Sequence, residues 1–262
     1  MDLGLKGKRA LVLGGNRGIG FGIARELAAE GAHVAIAARD AGRLEAAALD
    51  LRALGEGSMH GFVLDLADID TLPAFAAHVG KSFGEVDILI NNTGGPGYGG
   101  VSQRGSAEWR GRFEDMVLSV ITLADAFVPG MRARRWGRVL TVVSSGVIQP
   151  IPILGVSNTL RSALVGWSKT LAGEVAAEGV TVNVLVPGRI DTERVRMTDK
   201  AVAAKDKISV EEAAKRSTNL IPVGRYGSIA EIGATAAFLV SARASYMTGS
   251  LVRVDGGIVR SI

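Results

Sequence analysis

Short apolar runs rich in β-branched residues recur along the whole chain and alternate with amphipathic stretches of helical period. Seven of these runs predict strands, at Arg9–Leu13, His33–Ala38, Gly61–Leu64, Val86–Ile90, Arg138–Val143, Val180–Val186 and Leu251–Val254. The runs are apolar throughout, as is typical of parallel strands that are buried on both faces. Stretches such as Gly20–Glu30 and Arg43–Leu54 show the helical period between them. We therefore expect one α/β domain over residues 1–262, a doubly wound parallel sheet of about seven strands with helices on both faces.

One charged stretch, residues 190–220, interrupts this alternation. It follows the carboxyl end of a predicted strand, which is the edge at which open α/β sheets bind their ligands. A long insertion at that position predicts a lid over a substrate. A solvated helical excursion that touches no ligand would have the same composition.

Composition and charge exclude several classes of protein. The chain has 30 basic and 26 acidic residues, a formal net charge of +4, and no dense basic tract. We therefore expect no nucleic-acid partner. No apolar run reaches the roughly 18 residues of a membrane helix, so we expect no membrane association. The absence of cysteine excludes disulfides and thiolate chemistry and favours a cytoplasmic location. No cluster of histidine and acidic residues indicates a metal site.

The first predicted strand runs directly into a glycine-rich turn and then into a helical pattern. Glycines in such a turn let main-chain N–H groups approach a pyrophosphate, and the following helix N-terminus favours the negative charge. The order of strand, turn and helix is that of the Rossmann dinucleotide site. It predicts cofactor contacts from Gly14, Gly15, Asn16, Arg17, Gly18, Ile19 and Gly20. An ordinary glycine-rich turn is the alternative interpretation.

Arg39 follows the second strand, at the position that distinguishes the two nicotinamide cofactors. An acidic residue there would accept hydrogen bonds from the ribose 2′-hydroxyl, whereas an arginine pairs with a 2′-phosphate. Arg17 adds a second positive charge, and Asp40, one residue beyond Arg39, adds a negative one. We expect NADP(H) rather than NAD(H). The alternative is an Arg39 side chain that contacts only solvent.

These motifs resemble those of the short-chain dehydrogenase/reductase family, most closely its 3-oxoacyl-acyl-carrier-protein reductases, over nearly the whole chain. The glycine turn, the pair Asp65-Leu66, the run Asn91-Asn92-Thr93-Gly94 and the pair Pro187-Gly188 occur in the family's order. The pattern Phe238-Leu239, Ser241 and Asp255-Gly256-Gly257 completes it. The resemblance implies further cofactor contacts from Asp65, Leu66, Asn92, Gly94, Pro187, Gly188, Ile190 and Thr192. It also implies a homo-oligomer, a dimer or tetramer.

The catalytic positions depart from the family's pattern of serine, tyrosine and lysine. Ser145 matches the family's serine, and thirteen residues later Asn158 stands at the tyrosine position. Ser162, four residues further, then stands at the lysine position. The family's helix asparagine is replaced by Met116. An asparagine can donate a hydrogen bond to an oxyanion but is no general acid near neutral pH.

Two other residues are candidates to take part in the chemistry. Arg161 is a permanent cation beside the missing lysine and could hold an anion or a ribose hydroxyl. Tyr98, in the glycine-rich loop after Gly94, is the best replacement acid. It could instead line the substrate pocket or be merely exposed.

Three functions remain compatible with the sequence. The first is an NADP(H)-dependent oxidoreductase that acts on a small carbonyl or alcohol, with Ser145 and Asn158 orienting the oxygen. The second is a dinucleotide-binding sensor or partner subunit without redox activity, and the third is a non-redox lyase on the same fold. Because the tyrosine and lysine are absent, we expect weak turnover on generic 3-oxoacyl thioesters.

Overall fold

The computed structural model describes residues 1–102 and 104–262 and contains a parallel sheet of seven strands. The strand order is β3-β2-β1-β4-β5-β6-β7. The predicted doubly wound sheet is therefore confirmed. The strands are β1 (Arg9–Leu13), β2 (His33–Ala38), β3 (Met59–Val63), β4 (Ile88–Asn91), β5 (Gly137–Val142), β6 (Val180–Pro187) and β7 (Leu251–Val254).

Two predicted strands begin two residues away from the start that the apolar pattern suggested. β3 begins two residues before Gly61, at Met59, because Met59 pairs with Val34 of β2. β4 begins two residues after Val86, because the Asp87 carboxylate is already bonded to the Arg9 backbone N–H at 3.0 Å. Both differences lie at strand ends and leave the order of the sheet unchanged.

Helices cover both faces of the sheet. One apolar core contains Ile23, Leu44 and Ile232, which come from three different helices, and the other contains Phe75, Leu123 and Val175. The helices are α1 (Gly18–Ala29), α2 (Ala41–Arg52), α3 (Leu72–Ser82), α4 (Ser106–Phe113), α5 (Ser119–Ala133), α6 (Gly155–Val175), α7 (Glu193–Asp206), α8 (Val210–Thr218) and α9 (Ile229–Leu239).

One helical stretch, Ser106–Ala133, is long and apolar enough to cross a membrane on length and composition alone. It consists of α4, a π-helical turn at Glu114–Leu118, and α5. Its apolar side chains Leu123, Phe127 and Met131 are buried against the sheet. A buried core helix passes the same composition test, so the observation is weak evidence for a membrane span.

The charged stretch 190–220 forms a helical pair after β6. It contains α7 and α8, which pack against each other. Tyr226 donates a hydrogen bond to the buried Asp199 of α7 at 2.9 Å, which fixes the base of the pair. Its role as a substrate lid stays a prediction.

Candidate functional site

The glycine-rich turn between β1 and α1 has a backbone that only glycine adopts easily. Gly14 and Gly18 have φ values of +61° and +56°. A Cβ atom on Gly20 would lie 2.2 Å from the Gly14 carbonyl oxygen. The Asn92 amide, at the end of β4, donates hydrogen bonds to the carbonyls of Leu13 at 3.2 Å and Gly14 at 3.4 Å. Asn92 therefore holds the turn in place.

The N-terminus of α1 has donors that no side chain satisfies. Its N-cap, Arg17, makes no capping hydrogen bond with its side chain, and the first turn contains no acidic residue. Side-chain oxygens cap three other helices, with Asp40 on α2, Ser209 on α8 and Ser228 on α9. Free N–H groups at a helix N-terminus bind phosphate. The turn therefore fits the pyrophosphate of a dinucleotide.

Beside the turn, three charged side chains meet. The Glu193 carboxylate of α7 accepts hydrogen bonds from Arg17 Nη1 at 2.7 Å and from Arg43 Nη1 at 3.1 Å. These bonds lower the pKa of Glu193, Arg17 having the larger effect. Arg39 is exposed at the tip of β2. Asp40 caps α2 by accepting from the Arg43 backbone N–H at 3.0 Å, so its charge has a structural use.

Sequence reasoning missed Arg43 and Glu193. They lie 150 residues apart, and neither belongs to a motif. The exposed Asp65 follows β3, and its carboxylate accepts from the backbone N–H of Ala67 at 3.1 Å. Half-buried Leu66 follows it. An adenine contact by this pair stays a prediction.

The segment that follows β6 lies close to the glycine-rich turn. A Cβ atom on Gly188 would lie 2.6 Å from the Cα atom of Asp255, so the chain is tightly packed there. Ile190 is buried, and Thr192 precedes α7. A Cβ atom on Gly18 would lie 3.6 Å from Thr192 Cγ2. The glycine-rich turn and the segment after Pro187-Gly188 thus face each other, as a shared cofactor site requires.

Arg161 of α6 is the central polar residue beneath the turn that follows β4. It is 7% exposed and donates hydrogen bonds to the carbonyls of Val142 at 3.0 Å, Thr93 at 3.2 Å and Gly94 at 3.1 Å. Its Nε donates to Ser157 Oγ at 3.3 Å. Burial lowers the pKa of this guanidinium to about 10. No carboxylate within 4.0 Å pairs with it in the described ranges.

The side chains of Asn158 and Ser162 lie outside this cluster, and their catalytic role stays a prediction. The Asn158 amide donates to the Ile151 carbonyl at 2.9 Å, and the exposed Ser162 hydroxyl donates to the Asn158 carbonyl at 2.8 Å. One residue along an α-helix turns the side chain by about 100°. The buried pair at a spacing of four is therefore Ser157 and Arg161.

Instead, Asn158 and Ser162 line a cleft of about 560 Å³ on the outer side of α6. The opposite wall comes from Val101 and from the segment that contains Val147 and Ile151. This cleft adjoins the Arg161 cluster but does not contain it.

Two adjacent serines, Ser144 and Ser145, follow β5 at the carboxyl edge of the sheet. Ser145 is half-buried and begins a short 3₁₀ turn, Ser145–Val147. Ser144 caps that turn by accepting from the backbone N–H of Gly146 at 3.2 Å. The structure therefore brings both hydroxyls to the same edge as Arg161.

Met116 and Asp115 occupy the π-helical turn. Met116 is buried among apolar side chains. Asp115 pairs with Arg112 at 2.8 Å, and burial raises the pKa of its carboxyl group. Its Oδ1 atom is buried without a hydrogen-bond partner among the described residues. Sequence reasoning did not single out Asp115.

Tyr98 joins the glycine-rich loop to α7. Its hydroxyl is hydrogen-bonded to Thr198, and the Arg194 guanidinium lies 5.8 Å from its ring centroid. Arg194 also donates to the carbonyls of Pro96 at 3.1 Å and Gly95 at 3.4 Å. Tyr98 thus lies between the glycine-rich loop after β4 and the helical pair of α7 and α8. The residue is 45% exposed. Whether it donates a proton stays a prediction.

Known proteins resemble this chain over nearly its whole length. Residues 14–259 match the family model described as enoyl-(acyl carrier protein) reductase. The chain is 36% identical over 258 residues to the 3-oxoacyl-[acyl-carrier-protein] reductase FabG of Escherichia coli, covering 98% of this chain and 99% of that protein. It is 34% identical to a putative ketoacyl reductase of granaticin polyketide synthase from Streptomyces violaceoruber, covering 95% and 92% of the two chains.

A solved structure is similar to this chain over its whole length. L-Sorbose reductase from Gluconobacter frateurii, complexed with NADPH and L-sorbose, superposes with a TM-score of 0.95 at 33% identity and covers 100% of both chains.

Proposed function

Because the chain belongs to the short-chain dehydrogenase/reductase family and is an NADP-dependent oxidoreductase, we propose that it interconverts a carbonyl and an alcohol on a small molecule, as 3-oxoacyl reductases do. The observation that carries this proposal is the pair Ser157 and Arg161, which lies against the turn that follows β4. A dinucleotide bound at the glycine turn would bring its nicotinamide to this edge of the sheet.

The proposal moves the catalytic positions by one residue. Counting thirteen residues from Ser144 gives Ser157, and four more give Arg161. These intervals are the same as those that relate Ser145, Asn158 and Ser162. The buried hydrogen bonds of Arg161 support the alignment that begins at Ser144, because they join Arg161 to the carbonyls of Thr93 and Gly94.

The bound cofactor supplies or accepts a hydride. The chain's own residues would orient the substrate and stabilise charge on its oxygen. The Ser157 hydroxyl accepts from Arg161, which leaves its proton free to be donated to the substrate oxygen. The nearby guanidinium stabilises negative charge there. Since arginine does not release its proton, the proton must come from solvent through Ser157 or a water.

A pair of matched serine variants tests this assignment. Ser157→Ala should lower kcat for NADPH-dependent carbonyl reduction by about 10- to 100-fold, since it removes a hydrogen bond to the developing oxyanion. Ser162→Ala, on the exposed side of the same helix, should leave kcat unchanged. The readout is NADPH oxidation across a panel of 3-oxoacyl thioesters and ketoses, with NADPH binding measured separately.

The same experiment discriminates the alternative functions. If Ser162→Ala lowered kcat and Ser157→Ala did not, the alignment that begins at Ser145 would be right. Tight NADPH binding without turnover on any substrate of the panel would favour the sensor or partner subunit. That alternative has one observation in its favour, the absence of a tyrosine and a lysine at either set of positions.

We also propose that the protein is a cytoplasmic homo-oligomer, a dimer or a tetramer. Support comes from the exposed face of α6 beyond the cleft that Asn158 and Ser162 line, which presents the small residues Ala163 and Gly166. A face of small residues lets a second helix approach closely.

A further inference from the structure

Arg17, Arg43 and Glu193 come from three separate elements and meet beside the glycine turn. Arg17 lies in the turn, Arg43 in the first turn of α2, and Glu193 at the start of α7. Glu193 Oε2 lies 2.7 Å from Arg17 Nη1 and 3.1 Å from Arg43 Nη1. One carboxylate oxygen thus accepts hydrogen bonds from two guanidinium groups.

This arrangement matters because NADP(H) differs from NAD(H) by one anionic group. A 2′-phosphate is recognised through charge-assisted hydrogen bonds from arginines near the tip of β2. Arg17 is one of the expected donors, and Arg43 projects from the helix that follows β2. A carboxylate and a phosphate satisfy the same donors. The bonds to Glu193 must therefore be given up or shared when the phosphate binds.

We propose that Glu193 is an internal competitor for the arginines that bind the 2′-phosphate, and that Arg43 is an additional contact to this phosphate. The inference rests on the proposed function only in so far as the protein binds NADP(H). NADP(H) then displaces Glu193 and releases the start of α7, whereas NAD(H) leaves Glu193 bound to both arginines. Glu193 thereby reduces the preference for the phosphorylated cofactor that the arginines alone would give.

The charges around the cluster agree with this role. The two arginines bring two positive charges, and Glu193 neutralises one of them. Asp40 lies 3.6 Å from Arg43 Nε, but it is bound to the backbone of its own helix as the cap of α2. Within residues 1–102 and 104–262, the hydrogen bonds of the Glu193 carboxylate are to Arg17 and Arg43, and none is to the backbone of α7.

The test is Glu193→Gln, with binding of NADP⁺ and NAD⁺ measured by isothermal titration calorimetry. The wild-type protein should bind NADP⁺ more tightly than NAD⁺. The variant should bind NADP⁺ about 2- to 5-fold more tightly still, the range expected for an exposed ion pair, and NAD⁺ unchanged. Arg43→Gln should weaken NADP⁺ binding and leave NAD⁺ binding unchanged.

Asp191→Asn is the matched control, because Asp191 lies two residues away and pairs with Arg196 at 2.9 Å. It should leave both affinities unchanged. The inference is overturned if Glu193→Gln leaves NADP⁺ affinity unchanged, or if it raises the affinities for NADP⁺ and NAD⁺ by the same factor. Neither oxidised cofactor turns over without an alcohol substrate, so this result is independent of the proposed chemistry. A wild-type protein that bound neither cofactor would contradict both the inference and the proposed function.

Discussion

At the scale of single residues, Arg161 organises the site. A buried guanidinium without a carboxylate partner loses its hydration, and only well-placed acceptors offset that cost. Here the acceptors are Ser157 and the carbonyls of Val142, Thr93 and Gly94. The same bonds that keep the charge in the interior therefore fix the turn after β4, against which we propose that the substrate binds.

The first prediction introduces the family's catalytic pair on this buried face. Ser157→Tyr with Arg161→Lys should raise kcat/KM on 3-oxoacyl thioesters by at least about tenfold. The reason is that a phenol beside a lysine is a general acid and a serine is a weak one. The measurement is NADPH oxidation at neutral pH.

The control for this variant places the same two residues one position later, as Asn158→Tyr with Ser162→Lys. These side chains would point into the outer cleft and should give no gain. An equal gain from both pairs, or a gain from the control alone, would contradict the placement of the site. NADPH affinity should be measured for both variants to exclude a loss of cofactor binding.

The sequence analysis began the count at Ser145, whereas the proposed site begins it at Ser144. Ser144 and Ser145 are adjacent, and the interval of thirteen fits either. The signal that distinguishes them is the burial pattern of α6. Leu160, Leu164 and Ser168 are buried with Ser157 and Arg161, whereas Ser162 and Gly166 are exposed. A helical-face argument applied to these residues would have identified Arg161 as the inward cation.

At the scale of elements, α9 supports the helix that holds the cofactor turn. α1 and α9 cross at two glycines. A Cβ atom on Gly22 would lie 2.5 Å from the Ile229 carbonyl oxygen, and one on Gly233 would lie 2.5 Å from the Gly22 carbonyl oxygen. The backbones approach closely, which sets the position of α1 relative to β1.

The second prediction concerns this crossing. Gly233→Ala should lower the free energy of unfolding by about 1–3 kcal/mol, because the methyl group meets backbone that cannot move freely. Gly173→Ala, in the exposed part of α6 where nothing lies within 4 Å, should instead stabilise by up to about 1 kcal/mol. Urea denaturation measures both. A loss of stability for Gly173→Ala as large as that for Gly233→Ala would contradict the close crossing as the cause.

At the scale of the whole molecule, the apolar pattern predicted the sheet and its two layers of helices well. Strands buried on both faces read as continuous apolar runs, and such runs are visible without a structure. What the pattern could not show is contact between distant segments. The ion pairs of Glu193 and the bonds between Tyr98 and Thr198 join residues 100 or more positions apart, through polar side chains that have no period.

The third prediction tests the assembly. Gly166→Arg should shift the protein toward the mass of a single chain in light scattering, because the added side chain blocks the approach of a second helix to α6. Within one chain, nothing lies within 4 Å of a Cβ atom at Gly166, so folding should be unaffected. Gly80→Arg, at an equally open position on α3, is the control and should leave the mass unchanged. Equal masses for all three proteins would contradict an α6 interface.

Residues 92–94 bring the two halves of the site together. Asn92 bonds to the glycine turn, and two residues later the Gly94 carbonyl bonds to Arg161. A cofactor bound at the glycine turn would therefore act, through this segment, on the surface where we propose that the substrate binds. Thermodynamic linkage makes any such effect reciprocal: the factor by which the cofactor changes substrate affinity equals the factor by which the substrate changes cofactor affinity. We expect these three residues to contribute to the coupling free energy between the two ligands.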